Sequence, residues 1–258
     1  MSIVVDDVGK YFVRRGREVQ ALASVSLEVA DGEFVALVGP SGCGKSTLMN
    51  LIAGILVPSS GRIVHDGREV HGINRGVGYL TQVDGLLPWR SAEDNITLPL
   101  EIKGVPAPER RARARQMLEL VNLTQFHRHY PSELSGGMRK RVALAQVLVY
   151  DPGTLLMDEP FGALDAQLKL VLQDELLKIW EGRHNTVVFV THDLGEAISL
   201  ADRVVVFTGR PGQIKSIEKV ELPRPRNVYK LRFDREFQAL YEKIWSALEP
   251  EIKKGGEV

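Results

Sequence analysis

The sequence predicts an α/β fold with a mixed sheet core, an antiparallel β subdomain and a helical subdomain, on three observations. An apolar run at 33–38 (EFVALV) ends in a glycine-rich turn and leads into a stretch of good helix formers. Asp66-Gly67 joins two extended pieces within 62–70, the pattern of a two-residue hairpin. Beyond residue 150, short apolar strands alternate with amphipathic helix, as in a parallel sheet. The 258 residues, 44% hydrophobic, suffice for one core, and no internal repeat divides them. One domain over 1–258 is expected.

The elements follow in order. Residues 2–6 read as a strand, and at 22–29 the spacing of Leu22, Val25, Leu27 and Val29 suits a half-buried sheet. After the strand at 33–38, a helix is expected over 45–54, stopping at Gly54. From about 91 to 150 the period becomes helical, with Ala114, Met117, Leu118 and Val121 at spacing 0, 3, 4, 7. Strands at 153–157, 186–190 and 203–207 follow, the first two separated by a helix around 164–181. A C-terminal extension, about 210–258, carries RPGQ and LPRPR, and ends in a helix. There Phe237, Leu240, Tyr241, Ile244, Trp245 and Leu248 form one apolar stripe, read as a face docked on the chain's own domain.

Charge and cysteine content exclude several function classes. Lys+Arg 33 against Asp+Glu 33 leaves no overall field, so no nucleic-acid partner is expected. Arg110, Arg111, Arg113 and Arg115 read as a solvated or headgroup-facing helix side, and the basic residues of 210–235 as solvated or close to a membrane. A single cysteine, Cys43, allows no internal disulfide and fits a reducing cytosol. The start MSIVVDDV lacks a basic region before an apolar stretch, so no signal peptide is expected. The apolar runs are too short to span a bilayer, so any membrane association is expected to be peripheral.

Chemistry is concentrated in two motifs. Gly39-Pro40-Ser41-Gly42-Cys43-Gly44-Lys45-Ser46 fits GxxxxGK[ST] between an expected strand and an expected helix, the context of a phosphate-binding loop. Its glycines let backbone N–H groups face phosphate oxygens, Lys45 supplies a mobile cation, and Ser46 is placed to hold Mg²⁺. Thr47 completes the candidate nucleotide-binding run and breaks the competing G-x-G-x-x-G reading, which would need glycine there. The apolar strand TLLMDE supplies the second half: Asp158 for the metal and, beside it, Glu159 as a general base for the attacking water.

Further residues resemble the ABC ATPases. Leu134-Ser135-Gly136-Gly137-Met138 resembles their signature motif, 23 positions before Asp158 (158 minus 135). Gln82 after VGYLT is similar to the Q-loop residue, Ala163-Leu164-Asp165 to the D-loop, and His192 after TVVFVT to the switch histidine. Tyr11 looks like the aromatic that stacks on adenine. The resemblance implies ATP and Mg²⁺, with Gln82 facing the γ-phosphate and metal, and Glu159 and His192 completing hydrolysis. It also implies a head-to-tail pair of copies, in which Ser135, Gly136 and Gly137 at the start of the helix 138–149 cover the partner's nucleotide. Lys140 and Gln146 stand where many relatives carry glutamine and arginine; both lie outside the implied phosphate contacts.

Leu86-Leu87-Pro88-Trp89-Arg90, the run Phe161 to Asp165, RPGQI and LPRPR resemble ATP-binding subunits of importers for nitrate, sulfonate, taurine and similar small anions. Separate integral membrane permease subunits are then implied, docked near Gln82 and Leu86–Trp89 on the cytoplasmic face of the inner membrane, with a solute-binding protein as indirect partner. Trp89 reads either as part of that docking surface or as an anchor of its own loop. Two other readings stand beside the importer: a lipid or lipoprotein transport ATPase, and a soluble non-transport ABC ATPase.

Overall fold

In a computed structural model, residues 2–14, 16–162 and 164–255 are described. A four-stranded antiparallel sheet has the order β2-β1-β4-β5, formed by β1 (Ile3–Arg14), β2 (Arg17–Val29), β4 (Ser60–His65) and β5 (Arg68–Glu69). A six-stranded sheet has the order β10-β9-β3-β8-β7-β6, from β3 (Phe34–Val38), β6 (Val77–Leu80), β7 (Thr154–Asp158), β8 (Thr186–Val190), β9 (Arg203–Phe207) and β10 (Ile214–Lys219). Its pairs are parallel except β10 with β9. The helices are α1 (Lys45–Ile52), α2 (Ala92–Ile102), α3 (Ala107–Leu120), α4 (Gly136–Leu148), α5 (Ala166–Arg183), α6 (Leu194–Leu200), α7 (Val228–Leu231) and α8 (Arg235–Gly255).

Period-two alternation along β3 divides the interior into two cores. Phe34, Ala36 and Val38 face α2–α8, where Phe34 packs against Trp180 at 5.7 Å and Phe189 at 5.8 Å between ring centroids. Val35 and Leu37 face the other way, onto Leu48, Met49 and Ile52 of α1 and the antiparallel sheet. Both faces are covered, so β3, β7 and β8 are buried throughout and apolar except for Thr154, Asp158 and Thr186 at their ends. At the hairpin, β4 and β5 meet through His65 and Arg68, with Asp66 and Gly67 both at positive φ, as the two-residue turn requires.

Several elements differ from the sequence reading, each for a physical reason. β1 continues to Arg14 because register shifts after Val5, with Asp7 at φ 49°, let the strand bend and go on pairing with β2. The signature helix starts at Gly136 rather than 138: the Ser135 hydroxyl accepts from the Met138 N–H and caps it there. Asp165 likewise accepts from the N–H groups of Gln167 and Leu168, so α5 begins at Ala166. Leu240, Tyr241 and Trp245 of the α8 stripe are only partly covered, whereas Phe237, Ile244 and Leu248 are buried. The tail's basic residues are not all solvated. Arg226 is 6% exposed, and Arg224 stacks on Trp180 at 4.1 Å. Arg113 and Arg115 are solvent-exposed, paired with Glu109 and Glu93.

Candidate nucleotide site

The site forms where the parallel strands end. β3 delivers the loop 39–44, and Gly44 at φ 105° turns it into α1. A Cβ on Gly44 would approach Leu22 Cδ2 to 2.6 Å and the Ala21 carbonyl to 2.8 Å, so the loop needs glycine there. Lys45 is buried, its ammonium donating to the Gly39 and Pro40 carbonyls at 2.8 and 2.9 Å. A cleft of about 480 Å³ is lined by Ser41, Gly42, Gly44, Lys45, Ser46, Thr47, Gln82, Glu159 and His192. Three loops distant in sequence therefore converge on the phosphate loop.

At the end of β7, Asp158 is 4% exposed and its Oδ1 has no hydrogen-bond partner. Burial raises its pKa above the usual carboxylate range, opposed by the Ser46 hydroxyl. A buried, partly desolvated carboxylate with a free oxygen beside a hydroxyl fits an oxygen-ligated divalent cation. Glu159 occupies the left-handed region, at φ 50°, which for a non-glycine residue marks backbone strain of about 1–3 kcal/mol held by its surroundings. Its N–H donates to the Val190 carbonyl at 2.9 Å, and its carboxylate is gripped from both sides. Gln82 Nε2 donates to Oε2 at 3.1 Å, and His192 Nε2 lies 2.5 Å from Oε1.

The remaining sequence-predicted residues stand outside this cleft. Pro40 is half-buried, while Gly39 and Cys43 are buried beneath the loop; a Cβ on Gly39 would approach Phe207 Cβ to 2.8 Å. Tyr11 lies on β1 across from Gln20, whose amide donates to its hydroxyl at 2.9 Å. Ser135 and Gly136 are exposed at the start of α4; Gly137 is buried there, where a Cβ would lie 2.2 Å from Leu168 Cδ2. Asp165 caps α5, and Ala163 lies outside the described residues. One contributor escaped the sequence reading. Gly212 bridges to Leu22, exchanges hydrogen bonds with Ala21 and Ala23, and approaches the loop so closely that a Cβ would sit 1.9 Å from the Cys43 carbonyl.

Comparison with known proteins decides the family. Residues 22–162 match the ABC transporter family. The chain belongs to it. This ABC protein is 46% identical, over 98% of its length and 94% of the other, to an uncharacterised ABC transporter ATP-binding protein of Methanocaldococcus jannaschii. It is 40% identical, over 96% of each chain, to the aliphatic sulfonates import ATP-binding protein SsuB of Bacillus cereus. Among solved structures it is similar to the ATP-binding cassette MJ0796, a dimer in a post-hydrolysis state bound to ADP and Pi. The TM-score is 0.78 at 32% identity, covering 86% of this chain and all of that one. The architecture agrees with the ABC ATPase fold, and the chain is an ATPase whose hydrolysis is coupled to transport. Among the described residues, no helix is long and apolar enough to cross a membrane.

Proposed function

We propose that this chain energises import of a small anionic solute, a sulfonate, nitrate, taurine or a related anion. It acts as a head-to-tail pair of copies on separate permease subunits at the cytoplasmic face of the inner membrane. Residues 1–258 make one nucleotide-binding domain, with 91–150 as its helical subdomain and 210–258 as its extension. The observation that carries the reading is the split between two faces. Glu159, Gln82 and His192 surround the phosphate loop, whereas Ser135 and Gly136 are exposed and outside that cleft. One copy thus holds half of a nucleotide site, and a second copy's signature turn completes it.

In this reading the loop N–H groups and Lys45 bind the β- and γ-phosphates, Lys45 exchanging the Gly39 and Pro40 carbonyls for phosphate oxygens. Tyr11 stacks on the adenine. Ser46, Asp158 and Gln82 would hold Mg²⁺, which supplies charge neutralisation of the phosphates when bound. Among the described residues no cluster of three His, Cys, Asp or Glu could hold a metal by itself. Glu159 accepts the proton of the attacking water, and His192 orients the Glu159 carboxylate. In the partner copy, Ser135, Gly136 and Gly137 cap the γ-phosphate, and Asp165 lines the seam.

The importer is supported by the sulfonate-importing relative and by Trp89, which is 71% exposed and does not anchor its own loop. Beside it Leu87 is held by the buried Asn95, whose side chain bonds the Leu87 N–H and carbonyl at 2.8 and 3.1 Å. The loop is thereby rigid with its indole outward, suited to a membrane partner's helix. The test is affinity capture of tagged Glu159→Gln protein with Mg-ATP from gently solubilised membranes of the native host, with mass spectrometry of co-purifying chains. An integral membrane permease with a solute-binding protein is expected. Recovery of soluble partners alone, or of nucleic acid, would sink the transporter reading.

A further inference from the structure

A chain of polar contacts joins the nucleotide cleft to the signature turn within one copy. Lys140, in the second turn of α4, is 8% exposed. Its ammonium donates to the main-chain carbonyl of Gln82 and lies 3.3 Å from Asp84 Oδ1. Arg139 Nε meets the other Asp84 oxygen at 3.1 Å, and Arg139 Nη1 donates to the Leu134 carbonyl at 2.8 Å, one residue before Ser135. At the far end, the Gln82 side chain holds Glu159 Oε2. Val83, between the two anchored residues, is 77% exposed, so its packing does not fix the segment. The ion pairs do.

We propose that Lys140 and Asp84 are positioning residues for ATP hydrolysis. They hold the Gln82 main chain so that its amide faces the cleft and, through Arg139, set the Ser135 turn in register with it. A mostly buried ammonium with two oxygen acceptors is a strong clamp, because losing either acceptor leaves a desolvated charge under-compensated. The clamp links the half-site that a copy uses itself to the half-site that it lends to a second copy. This inference rests on the assignment of Gln82 to the nucleotide's γ-phosphate.

The test measures steady-state ATP hydrolysis and binding of a fluorescent ATP analogue for the full chain and for Lys140→Met, Lys140→Arg, Asp84→Asn and the Lys140→Met/Asp84→Asn double variant. Loss of one charge-assisted hydrogen bond predicts a kcat about tenfold lower in Lys140→Met. Nucleotide affinity should stay within about twofold, because the phosphate loop is untouched. Lys140→Arg should recover most of the rate, and the double variant should be no slower than the slower single one, since both break one interaction. Asp84→Asn carries the test if Lys140→Met does not fold. Wild-type kcat in the single variants, multiplied losses in the double, or a fall in affinity that parallels kcat would overturn the clamp. Gln82→Ala separates the premise: wild-type hydrolysis there removes the γ-phosphate assignment, whereas a slow Gln82→Ala with normal clamp variants removes only the clamp.

Discussion

The two ends of β3 meet polar groups in opposite ways. At its start, the Phe34 N–H donates to Asp202 Oδ2 at 3.0 Å, and Asp202 Oδ1 accepts from Arg224 at 2.7 Å. Next to it, Arg226 spends all three guanidinium nitrogens on the carbonyls of Ile198, Ser199, Ala201, Val220 and Leu222. Past its other end, Asp158 Oδ1 is buried without a partner, and Glu159 is held at positive φ. Lys45 there donates into its own loop. The tail node is largely closed: every Arg226 nitrogen has a backbone acceptor and Arg224 holds Asp202, leaving only Arg224 Nη1, 3.8 Å from Glu181, without a hydrogen bond, and together they fasten the extension to the end of α6. The cleft is open, and in the proposed function its polar groups meet atoms that a nucleotide brings. Stability and function are thus placed at opposite ends of one strand.

The comparison breaks most readily at Glu159. Glu159→Gln keeps the side chain's shape and removes its basicity, so hydrolysis should fall about a thousandfold while ATP binding survives. ATP should then accumulate a dimeric form, seen by size-exclusion chromatography with and without Mg-ATP. Equal hydrolysis by variant and parent would remove Glu159 from its role and leave the strain at φ 50° without a function.

At the closed end the effect should appear in stability alone. Arg226→Met leaves the carbonyls at the end of α6 without their donors, costing about 2 kcal/mol, or about 5 °C in Tm. Burial lowers the pKa of this guanidinium to about 10, so it stays charged at neutral pH and its carbonyl contacts act throughout the working range. ATP turnover of the folded variant at 25 °C should match the parent. A lowered kcat with an unchanged Tm would mean that the tail node belongs to the catalytic apparatus, and the distinction between the two ends would fail.

Legibility in the sequence follows the same division. Strands buried on both faces announce themselves as continuous apolar runs, and β8 and β9 span the residues the pattern predicts. The edge strand β10 escaped because Lys215, Glu218 and Lys219 interrupt it and none of its residues is buried. The tail arginines were expected in solvent because composition counts charges and cannot count carbonyls; Arg226 is buried only because α6 ends against it. In the cleft, the phosphate loop and Asp158-Glu159 were readable, since glycines and carboxylates at strand ends are local signals. Gly212 and the Lys140–Asp84 pair were not, because each acts across a fold that brings together residues dozens of positions apart.

The smallest expected effect sharpens the comparison where the two regions meet. Glu196 lines a cavity of about 420 Å³ with Glu159, His192 and the partly exposed Tyr241 and Trp245 of α8. Its Oε2 accepts from Thr191 Oγ1 at 2.5 Å, and Lys169 lies 3.6 Å from its Oε1, which has no hydrogen-bond partner. Burial outweighs these contacts and raises its pKa above the usual range, Asp193 adding to the rise. A carboxyl whose folded pKa is raised stabilises the fold below its unfolded pKa, and that stability is lost as pH rises through the folded value. Glu196→Gln still accepts from Thr191 and carries no charge to bury. Its Tm should therefore exceed the parent's by more at about pH 8 than at about pH 5. A difference constant across that interval would show that Lys169 compensates the charge fully, and that Glu196 belongs with the closed end of the molecule.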